Sequence, residues 1–167
     1  MAKMTVRQWG ELWAKDLRHA MDIYVNSATV DCAGEAMAFT LTNFKLQGFQ
    51  GDNGFEKWAP RSRSYPWPIL HKTGQLISSL AERTRNSGGV HSGTVYTSIT
   101  KFRSPDRSKG EGPLRVYAAF HNQPSGTYRY PYPNVQRQFI GHSKTLERKL
   151  FNLIMNRISW VIPGNML

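Results

Sequence analysis

The chain has 167 residues, 40% hydrophobic and 12% aromatic, with a formal net charge of +11. That length and composition suit one domain with a real core and exclude a wholly disordered chain. No run approaches the roughly 18 apolar residues of a membrane-spanning helix, and a single cysteine, Cys32, excludes an internal disulfide and a cysteine-cluster metal site.

The N-terminal stretch MAKMTVRQWGELWAKDL carries charges every few positions and no apolar core, so it is not expected to act as a secretory signal. From Thr5 to about Asn26, Val6, Trp9, Trp13, Leu17, Ala20, Met21 and Tyr24 recur at intervals of three and four, the period of an amphipathic helix. Thr5, or the residue before it, is the expected N-cap. The pattern falters at NSATVD and resumes from Ala33 to Phe44, which predicts two helices in line or one long bent helix. GFQGDNG, 48–54, is rich in turn residues and breaks the helix.

FEKWAPRSRSYPWP then predicts an extended surface segment, with Trp58 and Trp67 too apolar to stand idle in water. A short helix is expected over 74–83, a turn at NSGG, and a strand in VHSGTVYTSITKF. RSPDRSKGEGP is a polar loop. LRVYAAFHN is expected as a strand pairing with the previous one. Ser143 caps a last helix whose apolar face holds Leu146, Leu150, Leu153, Ile154, Ile158 and Val161 or Trp160, ended by Pro163 and Gly164.

The expectation is therefore α+β: N-terminal helices, a small antiparallel sheet with long loops, and a C-terminal helix. The chain is read as a single domain, 1–167. Its parts are a helical stretch 1–47, a Trp/Pro-rich segment 48–72, and an α+β core 73–167 bearing loops 103–112 and 123–138.

Charge is uneven. Residues 1–56 hold five Lys/Arg against seven Asp/Glu, and residues 57–157 hold seventeen against four. Such a field favours a polyanion or an acidic protein surface as neighbour. Arg61, Arg63, Lys101, Arg103, Arg107 and Lys109 cluster near Trp58 and Tyr65, cations beside stacking platforms as in single-strand binders. No recognisable RNA-binding motif accompanies them.

Catalytic signatures are missing from the sequence. The histidines His19, His71, His91, His121 and His142 have no metal-ligand spacing, and no phosphate loop or nucleophile elbow occurs. His121, closing a predicted strand, is read as a capping or hydrogen-bonded residue. No enzyme, no cofactor and no metal are expected.

Four segments resemble, in order, those of a known family. NFKLQGFQGDNGFEKWAP is similar to its early F…G…W-P stretch, ILHKTGQLISSL to its IL…TG.L..S signature, VYAAFHN to its YA..H..G strand, and RQFIGHSKTLERKL to its R.F.G.S turn into the last helix. This is the virion-morphogenesis family of tailed bacteriophages, which includes tail-completion, head–tail joining and tail-terminator proteins. The resemblance implies a structural subunit of a ring at the neck or tail top, commonly sixfold. It implies neck, connector and tail-tube proteins as partners, genomic DNA passing non-specifically through the bore, and a place in the virion after assembly in the host cytoplasm, without a membrane.

On that reading the loop 123–138, with Tyr128, Arg129, Tyr130 and Tyr132, is a docking arm whose return is anchored by Phe139 and Ile140. Trp58, Tyr65, Trp67 and Arg137 complete the expected subunit interface, since such contacts are rich in Tyr, Trp and Arg. Arg61, Arg63, Lys101, Arg103, Arg107 and Lys109 are expected near DNA or an acidic partner. The alternative is a basic, non-sequence-specific nucleic-acid-binding protein.

Overall fold

A computed structural model describes residues 5–71, 74–97, 102–103, 111–112, 114–127 and 134–161. The first element is one helix, α1, Val6–Leu46. Thr5 caps it with a reciprocal pair of bonds. Its hydroxyl accepts from the Gln8 backbone N–H at 3.3 Å, and Gln8 Oε1 accepts from the Thr5 N–H at 2.9 Å. The polar stretch 26–31 does not break the helix. The Thr29 hydroxyl donates back to the Val25 carbonyl at 2.8 Å, so it follows the helix instead of competing with it. Gln47, left-handed at φ 57, ends the helix; its side chain donates to the Phe44 carbonyl at 2.6 Å.

The turn-rich stretch 48–54 follows the end of the helix, as expected, and belongs to a hairpin. β1, Gly48–Gly51, pairs antiparallel with β2, Gly54–Lys57. Gly48 is required there, because a Cβ would stand 2.6 Å from the Glu56 carbonyl oxygen and 2.4 Å from the Phe55 ring. Gly48→Ala is expected to cost about 1–3 kcal/mol, the usual range for overpacking, read as a lower urea midpoint at unchanged slope.

From 48 to 71 the chain is therefore a hairpin followed by an irregular path. α2 covers only Gln75–Ser78, a correction to the helix expected over 74–83. The Ser79 hydroxyl donates to the Leu76 carbonyl at 2.7 Å and closes the turn. The chain then enters β3, Leu80–Ser87, which pairs residue for residue with β4, Val90–Thr97. Gly88 and Gly89, at φ 60 and 79, make the tight two-residue connection.

β5, Phe102–Arg103, pairs with β6, Glu111–Gly112. Together they close the base of the predicted 103–112 loop, whose residues 104–110 lie outside the described ones. LRVYAAFHN is not a strand but α3, Leu114–Asn122. Its expected hairpin partner is β4, and β4 is already paired with β3. The predicted sheet is thus replaced by three two-stranded ribbons among the described residues.

α4, Lys144–Val161, begins as expected, with the Ser143 hydroxyl accepting from the Leu146 N–H at 3.2 Å. It lies along α1 through Lys149 to Glu35 at 2.9 Å and Arg157 to Asp31 and Ser27. Its end at Pro163 and Gly164 lies outside the described residues. The class is α+β, with a long N-terminal helix, small antiparallel ribbons and a C-terminal helix. The core gathers Phe44, Trp58, Leu70, Leu76, Leu80, Ala118 and Phe139, with Met37, Ile69, Ile77 and Ile140 packed against it.

Candidate functional site

The Pro-rich segment after β2 folds around one guanidinium. Arg61 donates to the Trp67 carbonyl at 2.9 Å and to the Pro68 carbonyl, and its charge lies 5.5 Å from the centre of the Tyr65 ring. Tyr65 stacks on Trp67 with centroids 5.0 Å apart. Opposite them stands Arg137, nearly buried, donating to the Ala59 and Pro60 carbonyls at 3.2 and 3.3 Å. Its backbone N–H reaches the His121 carbonyl at 2.6 Å. Arg61, Tyr65, Trp67, His121 and Arg137 thus line one open recess of about 380 Å³.

Burial and the neighbouring Arg137 charge push His121 down to about 4. At neutral pH the recess therefore holds two cations, an uncharged imidazole and an aromatic pair. That set suits a carboxylate or an aromatic ring.

Four of the residues expected at an interface or near an anion, Tyr65, Trp67, Arg137 and Arg61, are brought together here. Arg63 is exposed on the same loop. Trp58 is the correction. It is 5% exposed, edge-on to Phe44 at 5.4 Å, and its indole N–H donates to the Gln138 carbonyl at 2.7 Å. Its whole surface goes to the core, so it offers a partner nothing. Arg103 belongs to β5. Lys101, Arg107, Lys109, Tyr128, Arg129, Tyr130 and Tyr132 lie outside the described residues.

The base of the 123–138 loop is tightly tied. Buried Asn134 donates through its amide to the Phe120, Gln123 and Pro124 carbonyls at 3.0, 3.1 and 2.9 Å. These bonds satisfy carbonyls at the end of α3. Beyond them Phe139 and Ile140 return to the core.

His142 bridges two carboxylates on the surface, Glu147 at 2.7 Å and Asp52 at 3.1 Å. Asp52 also accepts from the Lys144 N–H at 2.9 Å. Its hydrogen bond to Glu147 and the Asp52 charge raise His142, and the Lys144 N–H lowers Asp52. The trio fastens the β1–β2 turn to the first turn of α4. No group of three His, Cys, Asp or Glu side chains placed to hold a metal occurs among the described residues.

One exposed apolar surface was not foreseen from the sequence. The helical stripe Val6, Trp9, Trp13, Leu17, Met21 reads as a core-facing stripe, yet every one of these side chains is exposed, Val6 at 90% and Trp13 at 61%. Trp9 and Trp13 stack on each other at 6.5 Å. At the base of this projecting half lies an apolar groove of about 910 Å³. Its floor is α1 from Leu17 to Ala36, and its walls are His91 and Gly93 of β4 and Leu150 and Ile154 of α4. Periodicity states that a face is apolar and leaves open whether its own chain covers it.

No protein-family model matches the chain, and no curated protein and no solved structure matches it.

Proposed function

We propose that this chain is a structural subunit of a tailed-phage neck or tail-top ring, which completes the tail and joins it to the head while DNA passes through the bore. The observation that carries this reading is the uncovered aromatic stripe on the first half of α1, next to an apolar groove. A single copy leaves several large apolar side chains in water, the mark of a subunit awaiting a neighbour. The Arg61–Tyr65–Trp67–Arg137 recess has the composition of an interface anchor. The family resemblance supplies the setting: the virion, a ring of copies, and neck, connector and tail-tube proteins as neighbours. No helix among the described residues is long and apolar enough to cross a membrane.

The basic excess over 57–157 favours a second reading, a non-sequence-specific nucleic-acid binder. Negative-stain imaging of the purified chain, paired with DNA titration at several salt concentrations, separates the two. The ring reading expects closed rings that form with concentration and bind duplex DNA feebly. A persistent monomer whose DNA affinity falls steeply with salt would replace it with the second.

A further inference from the structure

We infer that the projecting half of α1, residues 6–23, docks in the apolar groove of a second copy of this chain, so that every copy gives one helix end and receives one. The inference rests on the self-assembly part of the proposed function and not on its phage setting.

The groove and the stripe are complementary in size. The groove floor carries the small side chains Ala28, Thr29, Cys32, Ala33 and Ala36, and the stripe carries Trp9 and Trp13. They cannot meet within one molecule. Both lie on the same continuous helix, which at 1.5 Å per residue separates Trp9 from Cys32 by about 34 Å.

Their polar groups are complementary too. The Tyr24 hydroxyl and both ring nitrogens of His91 are buried at the groove, and no described residue bonds them. Leaving such atoms unpaired is costly. On the stripe, Asp16 follows Trp13 by three residues and precedes Ala20 by four, so a carboxylate sits within the apolar face. No described residue pairs with it. A neighbour's Asp16 accepts the Tyr24 O–H and a His91 N–H once these two side chains turn outward into the groove.

Area and charge select the occupant. A projecting 18-residue helix is about 27 Å long and 10–12 Å across, so half its surface is about 450 Å². Only in a reciprocal pair, where each copy gives to and receives from the same neighbour, does a copy bury up to about twice that, comparable to the roughly 800 Å² per partner of a stable pairing. The projecting half holds Arg7, Lys15 and Arg18 against Glu11, Asp16 and Asp22. A balanced face has no particular pull on a nucleic acid or an anionic membrane.

The test uses the native groove cysteine. Trp9→Cys and Trp13→Cys are made separately, with Lys15→Cys on the charged face as control. Each is oxidised mildly at alkaline pH, because burial pushes the Cys32 thiol up. At least one stripe variant is expected to form an intermolecular disulfide that Cys32→Ser abolishes, and the control is expected to form none above background. Asp16→Ala is measured alongside by sedimentation. It is expected to shift the wild-type assembly toward monomer although it makes the stripe more apolar, with unchanged circular dichroism.

Equal crosslinking in stripe and control variants overturns the inference, as does Asp16→Ala leaving the assembly unchanged or strengthened. A wild-type monomer that instead binds lipid vesicles overturns it as well. Rings that form without the Cys32 crosslink overturn the docking and leave the ring reading intact. Crosslinked copies that never close into rings sustain the docking and overturn the ring.

Discussion

Replacing Phe139 by Ala is expected to lower the free energy of unfolding by about 3–5 kcal/mol. Phe139 is 1% exposed and its ring lies 5.0 Å from that of Phe44. Its backbone is held as firmly as its ring. The Asn43 amide donates to its carbonyl at 3.3 Å, and its N–H reaches Asn122 Oδ1 at 3.0 Å. Helix α1, the end of α3 and the approach to α4 therefore meet at one side chain. Removing it leaves a void that three separately tethered elements cannot close. A domain of this size has only about 5–15 kcal/mol to lose. Urea unfolding followed by tryptophan fluorescence, which Trp58 beside Phe44 reports, measures the loss. A cost below about 1 kcal/mol would show that the core can collapse around the gap.

Acidification from pH 7 to 4 is expected to lower stability by up to about 3 kcal/mol through His121 alone. Its folded value near 4 lies below the ordinary 6.5. Between those values the unfolded chain takes up a proton that the folded chain refuses, so stability falls as pH drops from 6.5 and the loss is complete near 4. His121→Gln is expected to flatten this slope. The surface trio runs differently on either side. His142 is raised, so its contribution is present in acid and fades as pH climbs through its folded value, above 6.5. Asp52 is lowered, so its contribution is present at neutral pH and fades once pH falls below the ordinary carboxylate range. Urea midpoints at pH 7, 5.5 and 4.5 for wild type and His121→Gln separate the buried effect from the surface one. Parallel pH profiles for the two proteins would remove His121 from the account.

The starts of α1 and α4 were legible because N-caps are local chemistry: Thr5 with Gln8, and Ser143 with Leu146, need only their immediate neighbours. The class was legible for the same reason. The ribbons were not. β3 reads LAERTRNS, and only Leu80 at its start is buried, so a strand exposed on both faces carries no alternating signal. Its one clue was the Gly88–Gly89 pair, the residue type a tight hairpin demands. LRVYAAFHN spans nine residues, too few for periodicity alone to separate a helix from a strand.

Trp58 and Trp67 look alike in sequence. What marks Trp58 as a core residue is its burial beside Phe44 and its indole N–H donated to the carbonyl of Gln138, 80 positions away. The recess formed by Arg61, Tyr65, Trp67, His121 and Arg137 was half legible. Four of its five members were singled out by residue type, but their convergence depends on a fold that joins positions 61 and 137.

The length of α1 has a mechanical consequence. The helix is fixed by its second half, where Ala33, Phe39 and Phe44 are buried, and its first half runs free like a cantilever beam. A rod clamped at one end magnifies any tilt at the clamp into a larger sweep at the tip. In whatever grips that tip, the spacing between clamps is dictated by a few packed methyl groups and rings far from the contact. A one-methylene change at Ala33 would thus act as a change of calibre.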